Sequence, residues 1–155
     1  MKYAAETKVS AEASRAEIER ILARFGATHF GYALEPEGAT IVFQVNNRRI
    51  RFAMQFPDRN DKQFWYTGTR HERRTPENAL KSWELATRQK WRALALAIKS
   101  KLAAVEAKIA TFDDEFLAYV VLPDGKTVGE SLQPQIEDAC STGRMPTLLT
   151  ERAGQ

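Results

Sequence analysis

A chain of 155 residues, of which 43% are hydrophobic and 28% charged, is long enough for one domain with its own core. No run approaches the roughly 18 apolar residues of a membrane span, and the N-terminus lacks the apolar segment of a secretion signal, so we expect a soluble protein that is not exported. The single cysteine, Cys140, excludes an internal disulfide and is typical of a reducing cytoplasm.

The net charge of +3 conceals an uneven distribution along the chain. Residues 47–108 contain 15 of the 23 Lys/Arg and 6 of the 20 Asp/Glu, a net of +9, which leaves −6 for all other residues. Such an excess of positive charge favours a polyanionic partner, such as a nucleic acid.

The first predicted element is a helix that Ser10 caps and Gly26 follows. Its apolar residues recur at helical spacing. They are Ile18, Ile21, Leu22 and Phe25.

Three strands follow as an antiparallel meander. They are His29–Leu34, Ala39–Asn46 and Arg48–Phe56. A two-residue turn at Asn46-Asn47 fixes the register of the last two strands, because it pairs Phe43 with Ile50 on the apolar side. The meander therefore has one dry face for the helices, and its polar face carries Arg49 and Arg51.

Residues 57–74 are the least regular part of the chain, and we treat them as a mobile loop within the single domain. Aromatic residues alternate there with arginines, next to Gly68, as a base-stacking platform with a charged rim requires. The alternative is a fourth strand, Gln63–Thr67, whose aromatic residues belong to the core.

One long helix is predicted over Thr75–Ile109. Thr75 suits the N-cap, and Pro76 suits the first helical position. An apolar stripe runs from Leu80 through Trp91 to Ile109. Another face is basic, either as a binding surface or as an ordinary solvated face. It comprises Lys81, Arg88, Arg92 and Lys99.

Beyond the long helix, Phe116–Leu122 and Lys126–Val128 are predicted to form a short β-hairpin around Pro123-Asp124-Gly125. Residues 130–141 form a brief helix, and Gly143–Leu149 a docking tail. The predicted fold class is α+β, with an N-terminal helix, a three-stranded antiparallel meander, one long helix, a short β-hairpin and a C-terminal helix. Residues 1–155 form a single domain.

Catalytic motifs are missing from the sequence, which has no glycine-rich phosphate loop, no G-x-S-x-G and no H-E-x-x-H. We therefore predict no catalytic residue, no metal site and no cofactor. The minor alternative is a small metal-dependent nuclease, which needs several converging carboxylates and usually a lysine. Asp58, Asp61 and Lys62 match that requirement weakly.

Three runs of sequence resemble a family of small proteins encoded by bacteriophages and prophages. They are WRALALAIKSKLAAVEAKI (Trp91–Ile109), TFDDEFLAYVVLPDGKTVGE (Thr111–Glu130) and GRMPTLL (Gly143–Leu149). The family has no assigned activity, so the resemblance implies no functional residue. It implies a mobile genetic element expressed in the bacterial cytoplasm.

The order helix, three-strand meander, helix is also similar to double-stranded RNA-binding domains and to the core of phage single-strand annealing proteins. Two features differ from the RNA-binding domain. The loop between the meander and the second helix is longer here, and that helix begins Thr75-Pro76-Glu77-Asn78 without a basic cluster. The likeness to annealing proteins is one of topology alone.

We hypothesise a phage-type protein that binds or anneals single-stranded DNA without reading its sequence, with RNA as an open alternative. Phosphates would contact the basic residues, and bases would stack on Trp65 and Tyr66. The predicted nucleic-acid-binding residues are Arg49, Arg51, Lys62, Trp65, Tyr66, Arg70, Arg73, Arg74, Arg88, Arg92 and Lys99.

The alternative function is a protein-interaction module that binds and modulates a host factor, as an anti-defence protein or an accessory of replication or recombination. The same basic surface would then face an acidic protein. A strip of alanines on the long helix could also pack against a second copy, so a homo-oligomer is a further candidate partner. The strip consists of Ala86, Ala93, Ala97 and Ala104.

Overall fold

The computed structural model describes residues 8–145. A 3₁₀ turn at Leu117–Tyr119 separates the last two helices of this range. The helices and strands are, in chain order, α1 (Ala11–Arg24), β1 (Thr28–Glu35), β2 (Gly38–Val45), β3 (Arg48–Gln55), α2 (Lys62–Trp65), α3 (Pro76–Glu106), α4 (Phe112–Phe116) and α5 (Val128–Thr142). Among the described residues, no helix has both the length and the apolar content needed to cross a membrane.

The sheet is antiparallel with the strand order β1-β2-β3, as predicted. Phe43 lies opposite Ile50, which confirms the register that the two-residue turn implies. Asn46 and Asn47 adopt φ angles of 48° and 62°, a left-handed conformation that asparagine tolerates. Alternate residues of β2 are buried, so one sheet face lies against the core and the other faces outward.

A β-bulge interrupts β1 near its start. Thr28 lies opposite Gln44 and Gly31 opposite Val42, so β1 contains one more residue than β2 between these pairs. His29 lies within the bulge and has a φ of 53°. The bulge displaces His29 from the regular ladder. Regular pairing resumes at Gly31, and Tyr32 lies opposite Ile41.

Helices α1 and α3 pack against each other and cover the core face of the sheet. Thr75 caps α3 by accepting a hydrogen bond from the Asn78 amide, and Pro76 occupies the first turn, as predicted. The helix ends at Glu106, and Lys108 has a φ of 57°, so the chain has already turned before Ile109. Ile109 is consequently 80% exposed, whereas the prediction placed it on the buried stripe.

The predicted β-hairpin after α3 is wrong. Thr111 and Asp114 form a capping box, in which each side chain accepts a hydrogen bond from the other's backbone N–H. This box starts α4, and Phe112 and Phe116 lie on one helical face, which is buried. Strand pairing is reduced to isolated bridges, Ile50 with Val120 and Val121 with Thr127.

The last described helix, α5, starts at Val128 because Thr127 and Glu130 form a second capping box. Pro134 lies inside this helix, and Gly143 ends it in a left-handed conformation. Residues 146–149 of the predicted docking tail lie outside the described residues, and Met145 is exposed.

Trp91 of α3 is the largest fully buried side chain among the described residues and belongs to the core shared by α1, α3 and the sheet. We expect Trp91→Ala to lower the free energy of unfolding by about 3–5 kcal/mol, since it removes a large buried ring and leaves a cavity. Urea denaturation measures this change. The control on the same segment is Ile109→Ala, which should stay within about 0.5 kcal/mol of the wild type because Ile109 is largely exposed. Equal effects would contradict the packing described here.

Candidate nucleic-acid interface

Residues 57–74 fold into a short helix followed by a closed loop. Asp61 caps α2 by accepting from the Gln63 amide at 3.0 Å, and Phe64 of this helix is buried. The alternative of a strand over Gln63–Thr67 is therefore wrong. Residues 63–65 belong to α2 because a capping aspartate precedes the helix, and the bridge to Arg73 begins only at Tyr66.

We call residues 66–73 the cationic hairpin. Tyr66 and Arg73 form an antiparallel bridge at its base. Inside it, the Thr67 amide donates to the Glu72 carbonyl at 2.9 Å, and the His71 amide donates to the Thr67 carbonyl at 3.1 Å. These backbone bonds give the loop a defined shape.

Arg74 holds the cationic hairpin against α2 and α3. Its Nη1 donates to the carbonyls of Gln63 and Phe64 at 3.0 and 3.1 Å and lies 3.3 Å from the Ser82 hydroxyl. These carbonyls belong to the last turn of α2, where helix acceptors lack partners within the helix. Arg74, predicted to bind phosphate, is thus a structural cap, and its Nη1 is occupied.

The two predicted stacking residues differ in exposure. Trp65 is half-buried, and its Nε1 donates to the Arg59 carbonyl at 3.0 Å. The Arg73 guanidinium lies 5.9 Å from the centre of the Trp65 ring. Tyr66 is 39% exposed, so its ring is the more open of the two.

The segment that contains these rings also contains cations without acidic partners. Lys62, Arg70 and Arg73 are exposed, and within residues 8–145 none of them has a carboxylate at ion-pair distance. Arg59 was not among the binding residues predicted from the sequence. Its guanidinium lies over the ring of Trp83, 4.1 Å from the ring centre. Its position in the same aromatic and arginine-rich segment was the signal that could have included it.

On the outer face of the sheet, the side chain of Arg51 has protein partners, and the side chain of Arg49 has none among the described residues. The Arg51 guanidinium donates to the Gly125 carbonyl at 2.8 Å and to the Glu130 carboxylate at 2.7 Å. Arg51 therefore ties β3 to the start of α5. Arg49 is exposed beside Gln44, as the predicted register requires.

The predicted basic face of α3 is largely occupied as well. Arg92 forms an ion pair with Glu17 of α1, and Lys81 pairs with Glu77 at 2.9 Å. The Arg88 Nε is buried without a hydrogen-bond partner in the described part of the chain. Lys99 is exposed and makes no ion pair there.

The eleven predicted residues thus fall into three groups instead of one. Arg49 and Arg51 lie on the outer face of the sheet, whereas α3 lies on the core face with Arg88, Arg92 and Lys99. The remaining residues belong to the segment between β3 and α3. The cationic hairpin and its flanks bring together Lys62, Trp65, Tyr66, Arg70, Arg73 and Arg74.

The two aspartates of the alternative nuclease set, Asp58 and Asp61, form local hydrogen bonds. Asp58 accepts from the Asn60 amide at 2.8 Å, and Asp61 caps α2. Within residues 8–145, no three His, Cys, Asp or Glu side chains are grouped to hold a metal ion. Two capping carboxylates have shifted pKa values: the Thr111 hydroxyl lowers the pKa of Asp114, and the Thr127 backbone N–H lowers the pKa of Glu130, to which Arg51 adds.

The chain was compared with protein-family models, with curated proteins and with solved structures, and none of them matches it.

The ion pair between Arg92 and Glu17 joins α3 to α1, and both side chains are mostly buried. Arg92→Glu would place two carboxylates side by side, so we expect the free energy of unfolding to fall by about 1–3 kcal/mol. Combining it with Glu17→Arg should recover most of that loss, because the ion pair forms again with the two charges exchanged between the helices. Urea denaturation of the single and double variants measures the coupling. Lys99→Glu, on the same helix, is the control, and a loss as large as that of Arg92→Glu would contradict the assignment.

Glu130 generates a pH-dependent prediction. Its pKa is lower in the folded protein than the ordinary 4.5, so its ionised form stabilises the fold above pH 4.5. That contribution is lost as the pH falls through the lower folded pKa. We therefore expect Glu130→Gln to lower the thermal midpoint at pH 7, and the gap to the wild type to close in acid.

Thermal unfolding between pH 7 and pH 3 measures this gap. The control is Glu137→Gln, on the same helix. The carboxylate of Glu137 has no hydrogen bond among the described residues, so the thermal midpoint of this variant at pH 7 should be nearly that of the wild type. A gap for Glu130→Gln that stayed constant down to the most acidic sample would refute the role given to its ionised form.

Proposed function

We propose that this protein binds single-stranded nucleic acid without reading its sequence, and that the cationic hairpin is the contact. The observation that carries the proposal is that the exposed Tyr66 is bridged to Arg73 in a hairpin that also contains Arg70, and that neither arginine has a carboxylate partner in the described chain. An open aromatic ring accepts the face of any base, and neighbouring guanidinium groups neutralise the phosphates on either side of it.

The ordered shape of the hairpin supports the proposal energetically. Its backbone hydrogen bonds and the Arg74 cap are all formed within the protein. A loop that is already ordered loses less conformational entropy on binding than a disordered one, so more of the contact energy contributes to affinity. Trp65 supplies a second ring, anchored by its Nε1 and covered in part by Arg73.

The contact we propose is narrower than the eleven residues of the sequence hypothesis. Arg51, Arg74 and Arg92 have internal partners, and a phosphate would have to compete with them. Four cations are left at the hairpin and its flanks, namely Arg59, Lys62, Arg70 and Arg73. Four neutralised phosphates correspond to a slope of roughly −3 in a plot of log affinity against log salt for a single strand.

The resemblance to phage and prophage proteins extends the proposal to its setting. We place the activity on phage DNA in the bacterial cytoplasm, with strand annealing as the outcome when two copies bring bound strands together. RNA would satisfy the same contacts, because neither stacking nor phosphate neutralisation requires or forbids a 2′-hydroxyl.

A second candidate function rests on a different observation. An apolar groove of about 700 Å³ lies between the Leu117–Tyr119 turn and α5. Leu117 and Ile136 line it and are 55% and 51% exposed, which is unusual for large apolar side chains that are close together. The groove favours a protein-interaction module, in which a host factor would bind here and not at the basic residues.

The double variant Arg70→Glu with Arg73→Glu tests the first proposal. It reverses two charges of the cationic hairpin, so we expect the affinity for a fluorescent oligothymidine to fall by about tenfold or more, with an unchanged thermal midpoint. Fluorescence anisotropy at two ionic strengths measures both the affinity and the salt slope. Tyr66→Ala should weaken binding by about 1–3 kcal/mol at either ionic strength, because it removes stacking and no charge.

The matched control is Arg20→Glu with Arg24→Glu, which changes the net charge equally on exposed positions of α1. It should weaken binding much less. If the control lowers the affinity as much as the hairpin variant, net charge and not the hairpin causes binding. If oligothymidine does not bind the wild type at low salt, the nucleic-acid proposal fails and the groove becomes the better candidate.

A further inference from the structure

A polar concavity lies on the outer face of the sheet, which α1 and α3 leave uncovered. Its volume is about 300 Å³. It is lined by His29, Val42, Phe43, Gln44 and Arg49. These residues come from all three strands, at the edge of the sheet where the bulge of β1 meets the turn between β2 and β3.

The ladder fixes the positions of the polar residues in this concavity. Thr28 lies opposite Gln44, and Gln44 lies opposite Arg49, so the three form one row across the sheet. Neighbouring strands are about 4.8 Å apart, which makes the row about 10 Å long. An arginine side chain at one end of such a row and one small bound ligand are together long enough to span it.

The bulge brings His29 to this row. Its φ of 53° is a left-handed conformation that costs a histidine roughly 1 kcal/mol or more. Bulges commonly re-aim a side chain towards a binding site. Here the His29 Nδ1 lies 3.0 Å from the Thr28 hydroxyl, and when that hydroxyl donates to Nδ1, the other ring nitrogen, Nε2, carries the free N–H.

All the polar side chains lining the concavity can donate hydrogen bonds, and none of them is acidic. Arg49 supplies a planar guanidinium, Gln44 an amide and His29 an imidazole. Arg51, two residues further along the same face, is already neutralised by Glu130 and differs from Arg49 in this respect. An unpaired guanidinium that lines one concavity together with two other donors matches a tetrahedral oxyanion, which the guanidinium can bind through two parallel N–H groups.

We propose that this concavity is a binding site for a phosphate group, held by two N–H groups of Arg49 and by single donors from His29 and Gln44. The ligand is either a small phosphate monoester or the terminal phosphate of a nucleic-acid strand, which share this chemistry. Arg49 is six residues from the end of β3, or about 20 Å along the strand, and the cationic hairpin lies beyond that end. The site is therefore separate from the hairpin and does not depend on the proposed function.

The experiment is an NMR titration of the full-length protein with inorganic phosphate, following the backbone amides of His29, Gln44 and Arg49. We expect saturable shifts of these three signals at millimolar phosphate. Arg49→Ala should reduce the affinity by about tenfold or more, and Arg49→Lys should lie between, because it keeps the charge and loses the paired N–H groups. Arg24→Ala, which removes an exposed charge from α1, should have no effect.

Two further arms identify the source of the phosphate, with the Arg70→Glu, Arg73→Glu variant as the protein so that the hairpin does not contribute. One arm compares an oligothymidine with a 5′-phosphate to the same strand with a 5′-hydroxyl. The other uses phenyl phosphate. An Arg49-dependent gain for the phosphorylated strand assigns the site to a nucleic-acid end, and a response to phenyl phosphate alone assigns it to a small monoester. Absence of shifts at the three amides, or shifts that persist in Arg49→Ala, overturns the proposal whatever the hairpin does.

Discussion

The antiparallel ladder between β2 and β3 is the constraint on which the rest of the structure depends. Each residue of these strands is assigned to one face by parity, so Phe43, Ile50 and Phe52 turn together towards the core. The same parity turns Gln44 and Arg49 outward. Without the tight turn at Asn46-Asn47, a slip of one residue would exchange the two sets, and the helices would have no apolar face to cover.

Packing against this core also fixes the position of the segment that follows α3. Phe116 packs edge-on against Phe43 and Phe52, with ring centres 6.2 Å apart in both pairs. Tyr119 stacks on Phe52 at 4.1 Å. These rings hold the segment after α3 beside β3, where Arg51 then binds the start of α5. Arg51, a candidate ligand contact in the sequence, is therefore a structural link between β3 and α5.

The positively charged middle of the chain is divided by such links. Arg51, Arg74 and Arg92 bind carbonyls or carboxylates of the same molecule, while Arg49, Arg70 and Arg73 have no acidic partner in the described chain. The division follows from location: the first three lie where another element packs against their own, and the others lie on a hairpin or on an uncovered sheet face. The open arginines therefore define two separate candidate surfaces, one with aromatic rings and one without.

The sequence alone determined the parts that depend on neighbouring residues. The caps at Ser10 and Thr75, the start of α3 at Pro76 and the register around Asn46-Asn47 each involve a few positions, and each is found as expected. Short capping signals compete with strand propensity, which is why Phe116–Leu122 was wrongly predicted as a strand and why a strand was the alternative for Gln63–Thr67, although the sequence contains Asp61 and the pair Thr111 and Asp114. Only the tertiary structure decided which arginines are open, because their partners are distant in sequence. Glu17 and Arg92 are 75 positions apart, and Arg51 and Glu130 are 79 positions apart. No local pattern contains both members of such a pair, whereas folding brings them within reach of each other.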